Sequence, residues 1–159
     1  MRIIVLPTLL TIVIDILVWG ILQLSIARLS LEFKDKFLSN NRIFKVLKFE
    51  KDGEFYNQYF RIKLWKDKLP DGSKILKNSF SKQSFNAKDL DYLNKFLIEI
   101  NRAEISHWLQ ILPAPLFFLF NVEWVGYFMI GYALIANIPF ILAQRYNRAR
   151  VIKIIENVK

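Results

Sequence analysis

Cysteine is absent from this chain of 159 residues, and histidine occurs once. Without cysteine there is no disulfide and no thiolate, so thiol nucleophiles and Cys-based zinc sites are excluded. One histidine cannot build a zinc centre of the usual kind, and no DDxxD-like pair of carboxylates occurs. No metal and no cofactor are therefore expected. Internal repeats and low-complexity tracts are missing too. The formal net charge is +9, yet no nucleic-acid motif accompanies it, so nucleic acid is not an expected partner.

Charge itself is missing in blocks. Residues 3–27 carry one acid, Asp15, and no base, and residues 124–143 carry no charge at all. About 20 apolar residues at about 1.5 Å rise match a hydrocarbon core of about 30 Å. A shorter run, 108–120, is apolar except for Gln110. The first run is too long for a signal peptide, has only Arg2 before it, and lacks an Ala-x-Ala-like site after it, which favours an uncleaved span. Of 23 Lys and Arg, 17 lie in 28–102 and 5 in 145–159, while the Asn121–Glu123 turn has none. The positive-inside rule then sets one topology: N-terminus outside, 28–102 inside, the turn outside, the C-terminus cytoplasmic. The expectation is a mainly α, small multi-pass protein of the cell membrane. It forms a single domain over 1–159, with about three transmembrane helices (3–27, 103–120, 124–143) and a cytoplasmic interfacial segment. Membrane lipid, rich in anionic headgroups at that face, is an expected partner.

The inner segment mixes bases with aromatics, as interfacial segments do. Asp52-Gly53 and Asp71-Gly72, the latter after Pro70, read as turns. Between them, in "FRIKLW" (60–65), alternation aims Phe60, Ile62 and Leu64 one way and Arg61, Lys63 and Trp65 the other. A short strand and an interfacial helix both fit this. Residues 73–87 read as polar and turn-like.

Helical spacing returns after Asn86 or Asp89, either of which could cap. Leu90, Leu93, Leu97 and Ile100 form an apolar stripe. Continuing the spacing puts Glu104, His107 and Ile111 on the same inward face, with Pro113 and Pro115 set to break the helix. Glu104 and His107 are helical neighbours where the helix enters hydrocarbon. Ionisable groups at that depth cost several kcal/mol unless paired. One reading makes His107 a general base oriented by Glu104. The other makes the pair, or Glu104 with Arg102, an anchor. Asp15 and Asn137 read first as helix–helix hydrogen-bonding groups. In "QRYNRAR" (144–150), Arg145 and Arg148 serve as inner-face anchors or as a phosphate clamp. Trp65 and Asp71 read first as interface and turn residues.

Four blocks carry a resemblance: "FKVLKFEKDGEFYNQYF" (44–60), "KLWKDKLPDGS" (63–73), "NRAEISHWLQILP" (101–113) and "YALIANIPFILAQRYNRAR" (132–150). The chain resembles the glycosyl-4,4'-diaponeurosporenoate acyltransferase family of carotenoid biosynthesis. The family pattern carries a proline where this chain has Ala149, which bears on the helix end. The resemblance implies acyl transfer from an acyl thioester, on coenzyme A or acyl-carrier protein, to a sugar hydroxyl of a glycosylated C30 carotenoid or similar lipid-linked sugar. Joined to the reading of the residues, it makes His107 and Glu104 the expected catalytic residues. Arg102, Trp65, Asp71, Arg145, Asn147 and Arg148 would bind substrate. The alternative is a non-catalytic membrane subunit or scaffold whose polar residues serve packing.

Overall fold

The structure, a computed structural model, describes residues 3–40, 42–70 and 89–158. The Asp71-Gly72 turn, residues 73–87 and Asn86 lie outside the described residues. Five α-helices occur among the described ones: α1 Thr8–Ser30, α2 Asp35–Asn40, α3 Glu54–Phe60, α4 Leu90–Ile111 and α5 Glu123–Val158. Short 3-10 turns join them, and no strand is present among these residues.

Two of the helices, α1 and α5, are long and apolar enough to cross a membrane. α1 has a mean hydropathy of 2.2 in its most apolar window, and 6% of that window is buried. Most of its apolar side chains face outward, Leu9, Ile16 and Ile21 among them. α5 does not stop after the third apolar run. It continues through Ala149 to Val158, 36 residues in all, or about 54 Å. Pro139 lies inside it.

The α4 stripe forms as its spacing predicts. Asp89 caps the helix, its carboxylate accepting from the Asp91 and Tyr92 N–H groups at 3.0 and 3.1 Å. Leu93, Ile100 and Glu104 are buried, and His107 is half-buried. The helix ends at Ile111, followed by Pro113 and a 3-10 turn over Ala114–Leu119, because proline cannot donate to the helical ladder.

α1 runs antiparallel to α4 and touches α5 where Trp19 meets Tyr132, ring centroids 5.2 Å apart. At one end, the Ile3 and Ile4 N–H groups donate to the Leu119 carbonyl, and Asn121 donates to Asp15 at 2.7 Å. Asp15 is thus hydrogen-bonded, but to the bend before α5 rather than to another helix. In the middle, Gln23 and Gln110 each donate to the other's backbone carbonyl. At the far end, Arg102 of α4 reaches the carbonyls of Ser30, Leu31 and Phe33.

Both apolar core clusters lie toward that far end. Leu93, Phe96 and Ile100 of α4 pack on Val151 and Ile155 of α5. Tyr56 and Ile62 pack on Ala143 and Tyr146. The "FRIKLW" alternation does not survive folding. α3 ends at Phe60, Arg61 is left-handed at φ 47°, and Ile62–Leu64 is a 3-10 turn. Ile62 is fully buried, while Phe60 and Leu64 are exposed.

Candidate active site

The centre of the molecule is a buried chain of charges. Glu104, 1% exposed, accepts from Arg145 Nε at 2.8 Å, from Trp108 Nε1 at 3.3 Å and from Arg148 Nη1. Arg148, also 1% exposed, donates through the same Nη1 to Asn101 Oδ1 at 3.2 Å. Asn101 in turn donates to the Leu38 carbonyl at 2.9 Å. Arg145 Nη1 lies 3.9 Å from Glu50, a second carboxylate at 1% exposure. Glu50 accepts from the Tyr56 hydroxyl and from the Leu47 N–H. Two carboxylates thus balance two guanidiniums. Each would be costly to bury alone.

Helix spacing explains the assembly. Glu104 and Asn101 lie three apart on the buried face of α4, and Arg145 and Arg148 lie three apart on α5. Glu50 comes from a tight turn in which Lys51 and Asp52 have positive φ and Gly53 has φ 91°. That turn presents Glu50 and Tyr56 to α5. Burial pushes the Tyr56 hydroxyl well above the ordinary tyrosine range, and its hydrogen bond to Glu50 adds to the rise.

His107 sits one turn further along α4 and stands apart from this chain. Its Nδ1 lies 2.9 Å from Asn137 Oδ1 of α5. Asn137 is 2% exposed, and its Nδ2 donates to the Ala133 carbonyl at 3.0 Å. With the amide so oriented, Oδ1 accepts and Nδ1 carries the proton. That leaves Nε2 with its lone pair. The ring stacks on Phe140, centroids 4.6 Å apart and planes 17° off parallel. Gln110 is the other polar side chain beside it.

The orienting partner of His107 is therefore Asn137, not Glu104, whose oxygens are engaged by Arg145, Arg148 and Trp108. Arg102 is also committed elsewhere. Besides the three α1-end carbonyls it meets Asp35 at 2.8 Å and Glu99 at 3.2 Å, so it holds α1 and α2 against α4. Trp65 packs on the Tyr56–Tyr146 cluster and donates to the Phe60 carbonyl at 2.8 Å. Asn147 is half-buried on α5. Asp71 lies outside the described residues. Among the described residues, no three His, Cys, Asp or Glu side chains come together as metal ligands. Sequence reasoning missed Glu50, Tyr56 and Asn101, since a carboxylate in a Lys-rich stretch carries no periodic signal of burial.

The sequence model of the glycosyl-4,4'-diaponeurosporenoate acyltransferases matches residues 40–157. The chain belongs to this acyltransferase family. Curated members from Staphylococcus aureus strains MRSA252 and bovine RF122 / ET3-1 are each 39% identical to it over 142 residues. Those alignments span 89% of this chain and 86% of each relative. No solved structure matches. The acyltransferase match takes in the whole charged chain and the His107–Asn137 pair, and begins after α1.

Proposed function

We propose that this acyltransferase is embedded in the cell membrane and moves a fatty acyl group from a thioester to a sugar hydroxyl of a glycosylated C30 carotenoid or closely similar glycolipid. The relatives' names supply the acceptor class. Support for the membrane comes from the outward-facing apolar surfaces of α1 and α5, which water would penalise and lipid would not. The spans are α1, the end of α4 with its 3-10 extension, and the first part of α5. The N-terminus lies outside, and residues 28–102 and the C-terminus lie on the cytoplasmic side.

The observation that carries the mechanism is the His107–Asn137 pair. His107 lies five residues, about 8 Å along α4, beyond Arg102, which marks the inner boundary. A thioester delivered from the cytoplasm meets a membrane-anchored sugar near that depth. Nε2 takes the proton of the sugar hydroxyl as its oxygen bonds to the thioester carbonyl carbon. The tetrahedral intermediate collapses, the C–S bond breaks, and the thiolate leaves with the proton returned by the imidazolium. No covalent enzyme intermediate is needed. Arg102 is tied to α1, so Arg145, 25% exposed in its side chain and paired with Glu104 one helical turn before His107, is the cation assigned to the developing oxyanion.

The test is His107→Ala beside wild type in native membranes, with acyl-CoA and the glycosylated carotenoid, following product by mass. A loss of about a hundredfold or more at equal abundance is expected. Equal turnover by both would remove His107 as the base.

A further inference from the structure

A cavity of about 300 Å³ opens on the inner side of the charged chain, between the 42–44 turn, α4 and α5. Its floor holds Arg148, Asn101 and Phe44, and Ser39, Arg42 and Lys45 stand around its mouth. Arg148 is buried but incompletely used. Nη1 serves Glu104 and Asn101, while Nε and Nη2 have no hydrogen-bond partner. Those two nitrogens form one edge of the guanidinium, the edge that takes two oxygens of a carboxylate or phosphate side by side. The Phe44 ring, 5.8 Å from Cζ, covers one face of the group, and both unpartnered nitrogens are buried beneath the cavity's lining. Arg42 and Lys45 are exposed, and neither forms an ion pair among the described residues. The cavity therefore combines an unsatisfied buried bidentate donor with two free cations at its entrance.

We infer that this cavity binds a phosphate ester, seated on the Nε–Nη2 edge of Arg148 and closed over by Arg42 and Lys45. A carboxylate fits the edge alone, but the two further cations suit the greater charge of a phosphate. Two sources share this chemistry: the phosphate of the acyl donor's carrier and the headgroup of an anionic phospholipid. The donor is favoured. Arg148 lies three turns from Asn137 on α5, about 16 Å at 1.5 Å per residue, a separation that an extended pantetheine arm bridges between its phosphate and its thioester. That choice of source rests on the acyl-transfer reading above; the phosphate chemistry does not.

The experiment measures coenzyme A binding, without turnover, to the full chain in phosphatidylcholine nanodiscs. Wild type is compared with Arg42→Gln/Lys45→Gln and with His107→Ala. Expected are saturable binding by wild type, displacement by inorganic phosphate at high concentration, and about tenfold weaker binding by the double variant. His107→Ala keeps the binding even where it loses turnover, so failure of the base and failure of the site are told apart. If coenzyme A does not bind, nanodiscs with phosphatidylglycerol supply the second arm. A rise in the thermal midpoint of wild type that the double variant lacks upholds the phosphate site and assigns it to lipid. No response in either arm, or equal responses from wild type and the double variant, overturns the inference.

Discussion

At the scale of single residues, a neutral amide holds the imidazole. Asn137 accepts from His107 Nδ1 and spends its own N–H on Ala133. It can fix the tautomer without bringing a charge into the apolar layer, where a carboxylate would need its own counter-ion. Asn137→Leu should leave the fold intact but release the ring. We expect kcat to fall roughly tenfold or more with little change in KM, as steady-state kinetics in membranes would read. Glu104 answers to a different measurement. Glu104→Gln leaves the buried Arg148 without a carboxylate and Arg145 opposite Glu50 alone, and should cost about 3–5 kcal/mol of stability, read from thermal unfolding in detergent. Tyr56 sets a pH limb. Its hydroxyl is held protonated in the fold, so the folded state keeps a proton that the unfolded chain gives up near pH 10. Its contribution is fully present below about pH 10 and is lost as pH rises through the higher folded value. Tyr56→Phe should flatten that alkaline fall in stability, while a fall unchanged by the substitution would assign it to other groups.

At the scale of elements, the α4 stripe and its Asp89 cap follow from spacing, because a helix repeats every 3.6 residues whatever surrounds it. The segment before it does not. "FRIKLW" has the alternation of a strand, but among the described residues no strand is there to pair with it. Arg61 turns the chain left-handed, and only Ile62 is buried. The turn at Lys51–Gly53 is set by glycine. Gly53 has φ 91°, and a Cβ there would stand 3.1 Å from the Tyr146 ring. Gly53→Ala should lose about 1–2 kcal/mol from backbone strain, with a further loss from crowding Tyr146, and should loosen the presentation of Glu50 to Arg145. A thermal midpoint equal to that of wild type would show that the turn tolerates the change.

At the scale of the whole molecule, packing and charge are segregated along the helix axes. The apolar core clusters, the ion pairs and the Arg102 clamp gather toward one end, and outward-facing apolar surface dominates α1 and the first part of α5. Water would favour the reverse arrangement of burial, so this distribution suits a chain whose middle lies in hydrocarbon. The absence of cysteine makes the topology simple to test. Val122→Cys should react with a membrane-impermeant maleimide in intact cells, and Lys63→Cys only after the cells are opened. The opposite pattern would invert the assigned orientation.

The sequence by itself determined the apolar runs, the break at Pro113, the stripe that turns Glu104 and His107 inward, and the family to which the chain belongs. Each of these is local or follows from residue order. Only the tertiary structure decided who pairs with whom. Asn137 rather than Glu104 meets His107, Arg102 clamps α1, and Glu50 with Tyr56 reaches across from a turn to α5. Those pairings join residues distant along the chain, and they depend on how far one helix slides and rotates against another. Periodicity gives the face a residue occupies; the register between helices, set by packing, gives its partner.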